Sequence, residues 1–279
     1  MDGLKRSTAF RLLPSAFCLQ IFSSALAQPP PPPAPPADAT GVSSTTLGNP
    51  YSYLTQTVLD QVLAAHGGLK RLEQISFMDL RLEGTVADGE EIVDVRIRTA
   101  QGTGRNFFQE TIADGVAIRQ GYDGIEYWMT RDGKRVTPLS GAIETSLYRQ
   151  TQRKRFLQGI LDVALPAPGT EYRGRVEKDG RPLDCVQHAG RSGDLLLEYA
   201  DPATHFLAIS ERPAMREVVL YDDYRETEGI PLPRRLRIYE MGKPRDEKSL
   251  KADLKTVSCS FQPLPDALFA PPEAKAPER

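Results

Sequence analysis

The sequence predicts a mainly β (α+β) protein whose large, curved antiparallel sheet forms an incomplete β-barrel with helices over its open concave side. Roughly a dozen segments alternate apolar and polar residues, which is the period of a half-buried strand. Asp-Gly turns separate several of these segments, and such short connections join antiparallel neighbours. Only two segments have helical spacing, and a sheet this large must close, split or curl around something. A half-open barrel with a helical lid follows from these three observations.

The N-terminus has the pattern of an export signal. Three basic residues precede a short apolar run over residues 12–22, which is too short to span a bilayer. Ala25 and Ala27 then provide small side chains at the two positions that a signal peptidase reads. We therefore expect residues 1–27 to be a signal peptide that is cleaved after Ala27, and the protein to be periplasmic.

Three further boundaries follow from composition. Residues 28–50 begin with a polyproline run and continue with Ser, Thr and Gly, so they predict an extended and then disordered linker. Residues 51–272 have globular composition and a length that suits one domain. Residues 273–279 form a polar tail that we expect to be disordered.

The charge of the chain excludes one class of partner. Cleavage removes three basic residues and one acidic residue, so the formal net charge changes from −2 to −4. A mildly acidic chain has no field that would attract nucleic acid. After the signal, no apolar stretch is long enough to cross a membrane. We expect a monomer that binds neither nucleic acid nor a cofactor.

Residues 53–66 predict the opening helix, because Leu54, Val58 and Val62 recur at four-residue spacing and form one apolar stripe. Two glycines follow at positions 67 and 68, and glycine readily adopts the left-handed conformation that ends a helix. A short second helix is expected over residues 69–75.

His66 has two interpretations, catalysis and helix termination. His-Gly-Gly runs occur in the oxyanion loops of some hydrolases, but such a loop follows a strand and needs a serine elbow. The chain contains no Gly-x-Ser-x-Gly sequence. We therefore assign His66 to the last turn of the helix, where the helix dipole favours a partial positive charge.

Apart from the two opening helices, which form the first helical segment, a second helical segment is expected over residues 142–166. Its apolar residues again have helical spacing, and Pro166 marks the end. Its basic residues, Arg149, Arg153, Lys154 and Arg155, are explained by a solvated helix face or by contact with acidic head groups. The solvated face is the simpler of the two interpretations.

The apolar strand faces predict a cavity. Two helical segments are short cover for so much apolar surface, and large exposed apolar patches are rare on soluble monomers. A concave apolar face of this kind can hold an apolar ligand. The residues expected to line it are Val93, Val95, Ile97, Tyr127, Met129, Leu195, Leu197, Tyr199, Leu236 and Ile238.

Cys185 and Cys259 are the only cysteines that remain after cleavage. In an oxidising compartment an isolated pair can close a disulfide, although two separate buried thiols explain them equally well. Cys185 and His188 have a spacing that suits metal ligands, but no second Cys/His pair accompanies them, and a structural zinc site needs four ligands. Their opposite strand parity also separates the two side chains. We expect no metal site and no catalytic residues.

Five stretches, taken together, resemble the LolA/LolB-type superfamily of lipoprotein carriers and sorting proteins. They are AAHGG with LKRLEQI, GYDGIEYW, DPATHFLAISE, DYRETEGIPLPRRLRIYE and PLPDALFAPP. They resemble the opening helix, an Asp-Gly hairpin with a following tryptophan, an Asp-Pro-x-Thr turn, paired strands with a Gly-x-x-x-Pro corner, and the closing segment. The resemblance implies an incomplete antiparallel barrel whose cavity shields lipid or acyl chains. The proline-rich spacer, the two cysteines and the length depart from the family pattern and suggest a distant member.

Three function classes remain. The first is a periplasmic, non-catalytic carrier for a hydrophobic ligand, with a lipid or an acylated protein as partner. The alternative is an envelope interaction, scaffold or stress-sensing module that uses the same fold without a ligand and binds other envelope proteins. A secreted hydrolase is disfavoured because no complete catalytic set is present.

Overall fold

The computed structural model describes residues 50–89, 91–102, 106–136, 170–189 and 195–272. The expected signal peptide, nearly all of the linker, the second helical segment and the C-terminal tail lie outside these residues. Within the described ranges, neither helix has the length and apolar content that a membrane span requires.

Two helices open the described chain, α1 (Pro50–Ala65) and α2 (Leu69–Gln74). The predicted stripe on α1 is buried at Val58 and Val62 but not at Leu54, which is 50% exposed, and α2 buries Leu72. Between the helices the backbone φ is 97° at Gly67 and 81° at Gly68, which is the left-handed region that glycine tolerates best. The predicted opening helix and its glycine end are therefore confirmed.

The rest of the described chain is dominated by one antiparallel sheet of 13 strands. Its spatial order is β6-β5-β4-β3-β2-β1-β13-β12-β11-β10-β9-β8-β7, so the sheet is not closed and β6 and β7 are its edges. The predicted mainly β class and the open, incomplete barrel are confirmed. The strands are β1 (Met78–Asp88), β2 (Glu91–Gln101), β3 (Phe107–Ala113), β4 (Val116–Tyr122), β5 (Tyr127–Arg131), β6 (Lys134–Arg135), β7 (Glu171–Lys178), β8 (Arg181–Ala189), β9 (Leu195–Ala200), β10 (Leu207–Arg212), β11 (Glu217–Thr227), β12 (Ile230–Glu240) and β13 (Leu250–Ser260).

The Asp-Gly turns form hairpins as predicted. Asp114, Asp132 and Asp179 have φ of 48°, 49° and 52°, and each is followed by a glycine that also has positive φ. Two successive residues with positive φ define the type I′ turn, whose twist matches that of the flanking strands. These turns connect β3 to β4, β5 to β6 and β7 to β8.

The sheet curves strongly. An ion pair between Arg245 and Asp179 joins the β12–β13 loop to the β7–β8 turn. Three strands, β9 to β11, separate these two hairpins in the sheet order. If the sheet were flat, the distance from β12 to β8 across the intervening strands would be roughly 19 Å. The ion pair therefore requires the sheet to bend until the two hairpins meet.

The two faces of the sheet bury different clusters. We call the face that packs against α1 and α2 the helix-side face, and the other the far face. Below the helices, Val58, Val62 and Leu72 pack with Val186 and Leu232 of the helix-side face. The far face is closed near β5 by the C-terminal segment, because Phe269 packs against Trp128 and accepts a hydrogen bond of 2.8 Å from its indole N–H.

Candidate functional site

Seven of the ten predicted cavity residues share the helix-side face. Cross-strand partners lie on the same face of a sheet, and the pairings Val86↔Val93, Leu82↔Ile97 and Gln120↔Met129 connect β1, β2, β4 and β5. Ile238 pairs with Ala252, which pairs with Val86 and so brings β12 to the same face. The seven are Val93, Val95, Ile97, Tyr127, Met129, Leu236 and Ile238.

The three predicted residues of β9 lie on the opposite side, so their predicted face is wrong. Leu197 and Tyr199 pack on the far face with Cys185 and Ile209, and Leu195 is 44% exposed. The run of three leucines that opens β9 is apolar at both strand parities. A shift of one residue therefore changes the face of every side chain without disturbing the pattern.

The centre of the helix-side face is apolar. We call this cluster the apolar centre; it draws on β1, β2, β11, β12 and β13. Its side chains are almost completely buried, with Leu82 at 1% exposure and Ile97 at 4%. Its members include Leu82, Val86, Val95, Ile97, Val219, Leu236, Ile238, Ala252 and Leu254.

A buried polar patch lies beside the apolar centre on β2 to β4. We call Gln101, Gln109, Thr111 and Gln120 the glutamine patch; all four are buried on the helix-side face. The Gln120 amide donates to the Gln109 carbonyl oxygen at 3.1 Å, and the Tyr127 hydroxyl donates to Gln120 at 2.7 Å. The patch gives this part of the helix-side face hydrogen-bonding groups, which an apolar core lacks.

A second polar group lies on the other side of the apolar centre, on β8 to β11. We call His188, Glu198, Ser210, Arg212, Glu217 and Tyr221 the interior polar cluster. The register places all six on the helix-side face, since Val186 pairs with Glu198, Ser210 with Val219, and Arg212 with Glu217. Sequence analysis missed this cluster because it assigned β9 to the wrong parity, which hid Glu198.

Hydrogen bonds connect the cluster. The Ser210 hydroxyl donates to Glu198 Oε1 at 2.9 Å, and His188 Nε2 lies 3.9 Å from the same oxygen. Tyr221 lies close enough to Ser210 and Arg212 for both to lower its pKa, although burial raises that pKa more strongly. At the far end, Lys251 Nζ is 3.6 Å from Glu217 Oε1. Burial raises the pKa of Glu217, and the charges of Lys251 and Arg212 oppose this effect.

His66 is a structural residue. Its imidazole is completely buried, in edge contact with Phe206 and Tyr224, and its Nδ1–H donates to the Val62 carbonyl at 2.8 Å. Burial lowers the pKa of His66 to about 4, so the ring is neutral at pH 7. The predicted position at the end of α1 is correct. The expected partial positive charge is wrong, because desolvation outweighs the helix dipole.

The two thiols are not bonded to each other, so the expected disulfide is absent and the two separate thiols are found. They lie on opposite faces of the sheet, Cys185 in the far-face cluster and Cys259 against the helix-side clusters. Burial raises the pKa of Cys185 to about 11 and that of Cys259 to about 12. Both thiols therefore stay protonated at pH 7, and the thiolate is the nucleophilic form.

The opposite parity expected for Cys185 and His188 is confirmed, since His188 lies on the helix-side face. Across the described ranges, no three or more His, Cys, Asp or Glu side chains come together as possible metal ligands.

Several solved structures are similar to this chain. A DUF1329 family protein from Desulfovibrio piger has 11% identity and a TM-score of 0.48, over 77% of this chain and 97% of its own. A LolA superfamily protein from Nitrosomonas europaea has 12% identity and a TM-score of 0.47, over 78% and 97%. An outer membrane lipoprotein-sorting protein domain from Vibrio parahaemolyticus has 11% identity and a TM-score of 0.42, over 75% and 93%.

No protein-family model matches the chain, and no curated protein matches it. The superfamily that the sequence motifs resemble is represented among the similar solved structures. Similarity at this level says nothing about a ligand.

Proposed function

We propose that this protein is an exported, non-catalytic carrier that binds the acyl chain of an amphiphilic ligand on its helix-side face. One observation supports this most directly: the apolar centre is flanked on the same face by two polar groups, the glutamine patch and the interior polar cluster. A face built only for stability would bury apolar groups, because a buried polar group destabilises unless its hydrogen bonds are complete.

The proposed ligand would gain enough from burial to bind. Each CH₂ that leaves water contributes ~0.8 kcal/mol. Ten buried methylenes then give on the order of 8 kcal/mol before the entropic cost of association. This is sufficient for an acyl chain to partition onto the face and still leave again, as a carrier requires.

Export and the absence of catalysis are parts of the same proposal. The N-terminal signal pattern and the resemblance to periplasmic lipoprotein carriers support a periplasmic location. Protonated thiols and a neutral, buried His66 support a non-catalytic role, because burial disfavours the thiolate, which is the nucleophilic form. The partner would be a lipid or an acylated protein.

The proposal is tested by fatty-acid titration of two neighbouring variants. Val93 is half-buried on the helix-side face, whereas Ile92 is 71% exposed on the far face. A charge at position 93 would have to be desolvated by the bound acyl chain, so we expect Val93→Asp to weaken binding of a fluorescent fatty acid at least about tenfold. Ile92→Asp should bind as the wild type does.

Circular dichroism would establish that both variants fold. Equal weakening by the two substitutions would contradict the assignment of the face. If the folded wild type bound neither a fatty acid nor a neutral acyl compound, the protein would be an interaction or scaffold module and not a carrier.

A further inference from the structure

Two carboxylates of the interior polar cluster have oxygens without a hydrogen-bond partner. Glu198 is 3% exposed and Glu217 is 6% exposed. On each, Oε2 is buried and has no hydrogen-bond partner, while Oε1 is held by Ser210 or by Lys251. Such buried acceptors are rare in proteins and destabilise them unless something donates to them.

The Ser210 hydroxyl is already used by Glu198 Oε1, and His188 Nε2 lies 3.9 Å from that same oxygen, which is beyond hydrogen-bond distance. Arg212 only donates, and its positive charge acts on Glu198 and on Glu217. Ser210 gives its single proton to Glu198 Oε1 at 2.9 Å. Ser210 therefore satisfies Oε1 of Glu198 and leaves Oε2 without a donor.

The cluster is close to electrical balance. The two carboxylates carry two formal negative charges, and Arg212 of the cluster and the neighbouring Lys251 carry two formal positive ones. Glu217 interacts with both cations, and Arg212 also interacts with Glu198. A charged ligand group would upset this balance inside the protein, where an uncompensated charge is strongly destabilising. A neutral group with O–H donors would complete the hydrogen bonds and keep the balance.

The position of the cluster also suits a ligand. Arg212 and Tyr221 are half-buried, so both keep accessible surface beside the two buried carboxylates. On β11, Val219 of the apolar centre lies between Glu217 and Tyr221 on the same face. A head group at the cluster would therefore place its acyl chain directly along the apolar centre.

We propose that the interior polar cluster binds a neutral, hydroxyl-bearing head group of the acyl ligand, with Glu198 and Glu217 as the hydrogen-bond acceptors. This inference rests on the proposed carrier function. A glycerol ester and a glycosylated chain both carry neighbouring hydroxyl groups, and the two therefore present the same hydrogen-bond donors.

Competition among compounds that carry an oleoyl or an oleyl chain, measured on the full-length protein, tests the inference. The competitors are 1-oleoylglycerol, oleyl glucoside, methyl oleate, oleate and oleylamine, each displacing the fluorescent fatty acid. We expect one of the two hydroxyl-bearing compounds to bind about tenfold more tightly than methyl oleate, because methyl oleate has no donor. The compound that binds more tightly of the two identifies glycerol or sugar as the source of the hydroxyl groups.

Substitution of the acceptors gives the matched control. Glu198→Gln and Glu217→Gln each keep the shape of the side chain but replace one acceptor oxygen with a donor, so the preference for the hydroxyl-bearing compound should fall to less than about threefold. Glu177→Gln changes an exposed carboxyl on β7 and should leave the preference unchanged.

The possible outcomes separate the two proposals. Tightest binding of oleylamine or of oleate would overturn the neutral head group. Equal binding of methyl oleate and both hydroxyl-bearing compounds would overturn the role of the cluster while the carrier function stands. If no compound displaced the probe and the probe itself did not bind, both proposals would fail. The wild-type series alone decides these cases, even if a Gln variant does not fold.

Discussion

Gly84→Ala is expected to destabilise the protein by about 4 kcal/mol or more, at the upper end of single-substitution effects. Gly84 lies in β1 opposite Leu254 of β13. A Cβ at this position would overlap the carbonyl oxygen of Asp253 and approach its carbonyl carbon to 2.9 Å. Both are backbone atoms, which cannot rotate away, so β1 and β13 would have to separate near the middle of the sheet.

Gly89→Ala is the matched control. Gly89 directly follows the last residue of β1. A Cβ at this position meets no atom within 4 Å, and only the positive φ of 65° is unfavourable. The expected loss is about 1 kcal/mol. Urea denaturation of both full-length variants measures the difference, and equal losses would show that the β1–β13 contact is not as close as the structure places it.

Acid should remove about 3 kcal/mol of stability through His66 alone. The pKa of His66 is lowered to about 4 in the folded protein, from an ordinary value of 6.5. Folding therefore favours the neutral ring. This stability is fully present above pH 6.5 and is lost as the pH falls through 4, because the unfolded chain binds a proton that the folded protein excludes.

His66→Leu isolates this effect, because leucine fills the apolar site without titrating. The difference in unfolding free energy between wild type and variant should change by about 3 kcal/mol between pH 7 and pH 4, in favour of the variant at low pH. Groups that titrate in both proteins cancel in this difference. A difference that stays constant with pH would mean that His66 is not buried as a neutral ring.

Local signals made much of the fold predictable. The alternation of β1 and β2, the Asp-Gly hairpins and the glycines after α1 each depend on neighbours in the sequence. For this reason the strand periodicity, the turns and the opening helix could be read directly. The face of β9 could not, because its three successive leucines fit either parity.

The candidate site is harder to predict because it is not local. The interior polar cluster joins residues of β8, β9, β10 and β11, and only the register of those strands shows that Glu198 and Arg212 share a face. The charge of His66 was misjudged for the same reason: Phe206 and Tyr224, which bury its ring, are more than one hundred residues away in the sequence. Burial by distant residues has no sequence pattern.

Lipid extraction from the purified protein is the most direct test of the carrier function. The full-length protein, the Val93→Asp variant and the Ile92→Asp variant would be exported, purified without detergent and extracted with organic solvent, and the extracts quantified by mass spectrometry. A carrier should yield an acyl-chain amphiphile from the wild type and from Ile92→Asp, and far less of it from Val93→Asp. Extracts with no such compound from any of the three proteins, or with equal amounts from all, would contradict binding on the helix-side face.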